Sequence, residues 1–222
     1  MSTFVFPTDL EERLSDTKVT AMVTIDRPDD AIPLGKALLA CGIKAIEVSF
    51  QSKAASEAIA KLRANVPECL VGAAGVVFED QLRQAKEAGA SYGSSFGTDR
   101  AVIEAADHLN FPFIPGVMTP SEIQSAVSLG CRHLHLFPME PIGGIDYFRS
   151  IRDAYSHLGV KFMIGGGMSL MHLRRYLSHD DVLCIAGEWI APRRIIQNQN
   201  WSAVIDNATE VTSILKDLSS KQ

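Results

Sequence analysis

Glu47 is the residue that points most directly to chemistry. It lies inside Ile46-Glu47-Val48, where a buried carboxylate is costly unless it is paired or used. Turned into a closed interior it could move protons, its pKa raised by desolvation; otherwise it is a structural carboxylate held by hydrogen bonds. His133 and His135 stand two apart in His133-Leu134-His135-Leu136-Phe137-Pro138, so on a strand both share one face and one of them is expected near Glu47. An imidazole there is an acid, a base or one ligand of a divalent metal. A His-x-His pair with no third ligand in the sequence does not make a metal site, and a hydrogen-bonded interior histidine explains it equally well. No metal and no other cofactor is assigned. Gly165-Gly166-Gly167 and Gly187-Glu188 each follow an apolar run. Their backbone N–H groups could cradle a phosphate, or they are simply tight turns. Glu188 would repel a phosphate unless it turned away.

The elements that must position these residues follow one rhythm. Eight short apolar runs are expected as strands: Val19–Ile25, Ala45–Phe50, Leu70–Ala74, Tyr92–Ser95, Pro112–Pro115, His133–Phe137, Lys161–Ile164 and Val182–Ile185. Amphipathic helices fill the gaps, at Asp30–Cys41, Lys53–Asn65, Glu79–Ala88, Asp99–Leu109, Pro120–Leu129, Tyr147–Leu158, Leu170–Leu177 and Trp201–Leu218. A short helical segment precedes the first strand, and Ser219–Gln222 is expected as a frayed tail. Gly42, Gly89, Gly130 and Gly159 each end a helix pattern just before a strand, where a left-handed cap favours glycine. Repeated tight helix-to-strand turns mean βα units and a parallel sheet. Eight units suit a single (β/α)8 TIM barrel domain of the α/β class over residues 1–222. The rival, an open doubly wound sheet, lacks its usual glycine fingerprint: the first strand ends Thr24-Ile25-Asp26-Arg27.

Composition narrows the partners. The chain has 222 residues, 46% of them hydrophobic, and a formal charge of -5, which suits a globular core and disfavours disorder. A chain with no basic excess is a poor match for nucleic acid or an anionic membrane. No apolar run is long enough to span a bilayer, and no signal peptide is read at the N-terminus. Cys41, Cys69, Cys131 and Cys184 are widely spaced, as free thiols in a cytoplasmic setting would be.

In a barrel the site lies at the C-terminal ends of the strands, and the stretches found there and along the helices resemble a known family. They are Gly35-Lys36-Ala37-Leu38, Gly42 to Val48, Val71-Gly72-Ala73, Glu87-Ala88-Gly89-Ala90, Ile114-Pro115-Gly116-Val117, Leu136-Phe137-Pro138-Met139-Glu140, Gly143-Gly144, Gly166-Gly167 and Val182-Leu183-Cys184-Ile185. Over about residues 18–192 the chain resembles the bacterial 2-keto-3-deoxy-6-phosphogluconate / 4-hydroxy-2-oxoglutarate aldolases. The resemblance implies a (β/α)8 barrel that assembles as a homotrimer. It also implies a class I lyase in which a lysine forms a Schiff base with a small 2-keto acid and a glutamate moves protons, giving pyruvate and an aldehyde. Glu47 falls on the glutamate and Phe137 on the aromatic after the lysine.

The family's Lys-Phe-Phe-Pro reads His135-Leu136-Phe137-Pro138 here, and a histidine does not form the iminium that serves as electron sink. By the same resemblance Gln51 stands for a substrate-binding arginine, Gly75 and Gly165 for threonines, Phe96 for a proline and Glu188 for a phosphate-binding serine. Of the nine lysines only Lys53, just past the second strand, is on the right side of a barrel.

The expected function is therefore an aldolase-family lyase on a small 2-keto acid. Glu47 would be its acid or base, and His135 would donate a hydrogen bond to the carbonyl or help hold a metal. Gln51, Gly75, Phe96, Phe137, Gly165, Gly166, Gly167, Gly187 and Glu188 would contact the substrate. The alternatives are a relative that binds a metabolite without turnover, and an isomerase using Glu47 and His135.

Overall fold

The computed structural model describes residues 6–220. Parallel strands form at the apolar runs: β1 (Val19–Val23), β2 (Ala45–Ser49), β3 (Leu70–Ala74), β4 (Tyr92–Ser94), β5 (Phe113–Ile114), β6 (Gly116–Val117), β7 (His133–Leu136), β8 (Lys161–Ile164) and β9 (Val182–Gly187). Their spatial order is β5-β4-β3-β2-β1-β9-β8-β7-β6. The two ends of that order are halves of one segment, interrupted at Pro115. Proline has no N–H to give the ladder, but its carbonyl still takes part: the His135 N–H donates to Pro115 O at 2.9 Å. The sheet thus closes as the expected barrel of eight staves, with the fifth split in two.

Among the described residues ten α-helices pack around it or across its end: α1 (Thr8–Thr17), α2 (Ala31–Ala40), α3 (Ala55–Asn65), α4 (Glu79–Glu87), α5 (Arg100–His108), α6 (Pro120–Ser128), α7 (Gly144–Tyr155), α8 (Leu173–Tyr176), α9 (Arg193–Gln197) and α10 (Trp201–Ser219). The helix-end glycines all take positive φ, from 65° at Gly159 to 94° at Gly130. The start of α6 is a capping box, with the Thr119 N–H donating to Glu122 Oε2 at 2.7 Å and the Glu122 N–H to Thr119 Oγ1 at 3.4 Å.

Three sequence expectations change. The helix expected over Leu170–Leu177 is a 3-10 turn, Leu170–His172, followed by the one turn of α8; the Ser169 N–H donates to His172 Nδ1 and tightens the start. The short helix α9 had no expected counterpart. Ser219 ends α10 rather than opening a tail, and Lys221 and Gln222 lie outside the described residues.

Apolar side chains form two layers. One fills the space between staves and helices, and includes Ile46, Val48, Leu62, Phe113 and Phe162. The other fills the barrel, with Met22, Leu70, Tyr92, Ile114, Met163 and Cys184, and with Leu10 and Leu14 of α1 packed against them. Helix α1 plugs the N-terminal end of the barrel. His133 belongs to that plug: its Nε2 meets Glu11 Oε2 at 2.9 Å and its ring stacks on Phe6 at 4.1 Å. Burial lowers the His133 pKa, and Glu11 opposes the shift. Among the described residues no helix is long and apolar enough to cross a membrane.

Leu14 has no exposed surface. Leu14→Ala should cost about 2–5 kcal/mol, the usual cost of truncating a buried leucine. Urea unfolding checks this; a loss under ~0.5 kcal/mol would mean that α1 does not seal the barrel.

Candidate active site

Period-two alternation aims Glu47 from β2 and His135 from β7 into the barrel, and neither has exposed surface. Glu47 is in register with Met22 on β1 and Gly72 on β3, and Gly72 with Tyr92 on β4. Ser94, two residues beyond Tyr92 on the same face, donates to Glu47 Oε1 at 2.8 Å. The other carboxyl oxygen, Oε2, has no partner among the described residues. Burial raises the Glu47 pKa to about 7, while the hydroxyls of Ser94 and Tyr92 limit the rise. The carboxyl group is therefore poised to give or take a proton near neutrality. The Tyr92 hydroxyl acts on Glu47 from beyond ordinary hydrogen-bond distance: among the described residues neither it nor Thr20 Oγ1, both buried, has a partner within 3.5 Å.

His135 is held differently. Its Nδ1 lies 3.0 Å from the carbonyl oxygen of Ser95. A carbonyl only accepts, so Nδ1 carries the proton and Nε2 presents a lone pair. Burial pushes the pKa down to about 4, against the pull of the Ser95 carbonyl. The ring is neutral at ordinary pH and its Nε2 accepts. The expected hydrogen-bond donor towards a substrate carbonyl is thus corrected to an acceptor. Nε2 has no partner.

The space for this ring comes from Gly165. A Cβ there would stand 2.4 Å from His135 Nε2. Gly75 does the same for Phe96, whose ring would lie 2.8 Å from an added Cβ. Phe96 in turn packs on Phe137 at 4.5 Å, and both rings lie within about 6 Å of the imidazole, at 6.1 and 5.5 Å. The aromatic pair is half-buried and stands over His135. Gly75, Phe96, Phe137 and Gly165 therefore form the wall around His135.

The open cavity at the strand C-termini is separate. It has a volume of about 410 Å³ and is lined by Met22, Thr24, Gln51, Gly166, Gly167, Met168, Ala186, Glu188, Trp189, Ala191, Pro192 and Arg193. Gln51, Gly166, Gly167 and Glu188 of the expected contact residues face it. Gly187 does not, and instead supports the Trp189 ring, which would lie 2.6 Å from an added Cβ. Met22 belongs both to this lining and to the register of Glu47, so the cavity and the buried acid share one flexible wall residue.

The expected phosphate cradle takes a different form. The triple glycine runs into a 3-10 turn rather than a long helix. Glu188 is exposed at the cavity, and Arg193 is already bound to Asp26 by bonds of 2.9 and 2.6 Å. Among the described residues no group of three or more His, Cys, Asp or Glu side chains is arranged to hold a metal. His133 and His135 serve different ends of the barrel. Lys53 is exposed in the turn before α3 and lies outside the cavity lining.

Sequence reasoning passed over Ser94, Ser95, Tyr92 and Arg193. Tyr92 and Ser94 were accessible to it, because alternation on a recognised strand turns both inward beside Glu47, whereas Ser95 meets His135 through its backbone carbonyl, which no side-chain pattern marks. The Arg193–Asp26 pair spans 167 residues and leaves no local pattern.

The comparisons with known proteins agree with one another. Residues 10–207 match the family described as KDPG and KHG aldolase. The chain is 32% identical over 205 residues to a 2-dehydro-3-deoxy-phosphogluconate aldolase of Haemophilus influenzae, covering 92% of this chain and 96% of that one. It is 34% identical over 193 residues to that of Treponema pallidum, covering 87% and 91%. Among solved structures, the KDPG aldolase of Legionella pneumophila, with pyruvate captured as a covalent carbinolamine intermediate, superposes with a TM-score of 0.84. It is 31% identical and the match covers 90% of this chain and 97% of that one.

Two measurements test the geometry. Gly165→Ala should destabilise the fold by about 1–3 kcal/mol through overpacking. Much of that loss should disappear when it is made in a His135→Ala background. Additive losses in the double-mutant cycle would show that the two positions do not compete for space. Glu47 supplies the second. Its pKa is raised in the fold, so its contribution is fully present below the unfolded value near 4.5 and is lost as pH climbs through about 7. The stability of the wild type relative to Glu47→Gln should fall by about 3 kcal/mol between pH 4.5 and 8. A flat difference would mean that the carboxyl titrates normally.

Proposed function

The chain belongs to the KDPG and KHG aldolase family, and from that premise we propose a carbon–carbon lyase that cleaves a small 4-hydroxy-2-keto acid to pyruvate and an aldehyde without a Schiff base. On this reading His135 occupies the place of the family lysine. The observation that carries it is the pair of buried, partnerless atoms Glu47 Oε2 and His135 Nε2. Leaving such groups unpaired costs about 1–3 kcal/mol each, a cost that a bound substrate recovers.

The two groups suit the two proton transfers of a retro-aldol step. His135 Nε2 accepts the proton of the C4 hydroxyl as the C3–C4 bond breaks, and C4 leaves as the aldehyde. The electron pair of that bond forms the C2–C3 double bond, and the protonated Glu47 gives its proton to the C2 oxygen. The enol then returns that proton to Glu47 as C3 takes the proton held by His135, yielding pyruvate. Substrate would enter from the cavity through movement of Met22 and the Phe96–Phe137 pair. Gln51, Gly166, Gly167 and Glu188 would contact its far end, and Gly75, Gly165 and Gly187 would shape the walls. Assembly as a homotrimer and a cytoplasmic setting belong to the same proposal.

A second reading, a family member that binds a metabolite without turnover, draws on the complete enclosure of Glu47 and His135. Pyruvate alone separates the two. A lyase of this kind exchanges the methyl protons of pyruvate with D2O, read by proton NMR. Glu47→Gln should slow the exchange at least 100-fold, the low end of what a positioned acid-base group contributes. Borohydride with pyruvate should leave the protein mass unchanged. No exchange would favour the binder, and a covalent adduct would show an amine at work, with Lys53 the first candidate.

A further inference from the structure

The open cavity differs in charge from a site built for a phosphate. Two of its lining residues are ionisable, Glu188 and Arg193. Arg193 is spent: its Nε and Nη2 both bind Asp26, which also takes the Gln197 amide at 2.8 Å. Arg27, on the same segment, is bound to Asp30 at 2.9 Å and to the Gln197 carbonyl at 3.1 Å. Lys53 is exposed and lies outside the lining. Glu188 is exposed and has neither an ion pair nor a hydrogen bond among the described residues. The uncompensated charge on the cavity wall is therefore negative, and repels a second anion.

The rest of the lining favours hydroxyl groups. The Trp189 indole N–H is buried without a partner, and the Gln51 amide is exposed at the rim. A carboxylate that only accepts and an amide that both donates and accepts suit a hydroxylated chain. The indole also offers a flat apolar face. The volume of about 410 Å³ is within the range of small-ligand sites.

We propose that this cavity holds the far end of the substrate, and that Glu188 restricts that end to an uncharged, hydroxyl-bearing chain in place of one ending in phosphate. The proposal rests on the lyase reading only in taking the cavity as the entrance to the same site. Glu188 is here a specificity-determining residue, not an acid or base in the reaction.

Calorimetric titration of the whole protein with D-gluconate and with 6-phospho-D-gluconate at low ionic strength tests it, since the two probes differ only in the phosphate. Gluconate should bind at least tenfold more tightly, and Glu188→Gln should shrink that ratio at least fivefold while leaving the melting temperature unchanged. Equal or tighter binding of the phosphate ester would overturn the proposal. So would an unaltered ratio in the variant, or no binding of gluconate at millimolar concentration, whatever the pyruvate exchange shows. Selective binding of gluconate without pyruvate exchange would leave this proposal standing and remove the lyase.

Discussion

A closed barrel of eight staves has a fixed interior, so every large side chain placed in it must be matched by a small one opposite. Two such matches govern this molecule. The His135 imidazole takes the space over Gly165, and the Phe96 ring takes the space over Gly75. Dense packing leaves no third option: a methyl group at either glycine would press into the facing ring. The identities at these four positions therefore form two linked pairs, and the shape of the inner site follows from them.

The same enclosure sets the electrostatics. Neither ionisable group has exposed surface, so each prefers its uncharged form, the carboxyl by a rise in pKa and the imidazole by a fall. Adjacent residues of one segment hold them: Ser94 through its hydroxyl and Ser95 through its carbonyl. A single stretch of chain thus orients both the acid and the ring. Neutrality makes the burial tolerable and leaves a proton on one group and a lone pair on the other.

Much of this could be read from residues alone. The apolar runs and the helix-end glycines indicated the parallel barrel, and Glu47 was marked out by the cost of placing a carboxylate between Ile46 and Val48. Three things could not be read. The split at Pro115 depends on which ladder each half joins, which is a property of neighbours and not of the segment. The tautomer of His135 depends on a carbonyl forty residues away. The cover over His135 depends on where Phe96 and Phe137 come to rest, and a contact between rings 41 positions apart has no periodic signature. His133 shows the same limit: alternation turned it inward beside His135, but only the position of α1 reveals that it faces Glu11 at the opposite end.

The split stave gives the imidazole a mechanical duty. Residues 113–114 pair with β4 and residues 116–117 with β7, so the ladder has a seam at Pro115, crossed by the Gly116 N–H donating to Ser95 Oγ at 3.1 Å and by Thr98 Oγ1 donating to the Gly116 carbonyl at 2.6 Å. His135 bridges that seam, anchored on β7 by its own backbone and reaching past the interrupted stave to the Ser95 carbonyl beyond β4. The ring acts as a rivet in the hoop. Replacing His135 therefore removes one brace of the rim together with the buried lone pair, and a variant at this position reads out both.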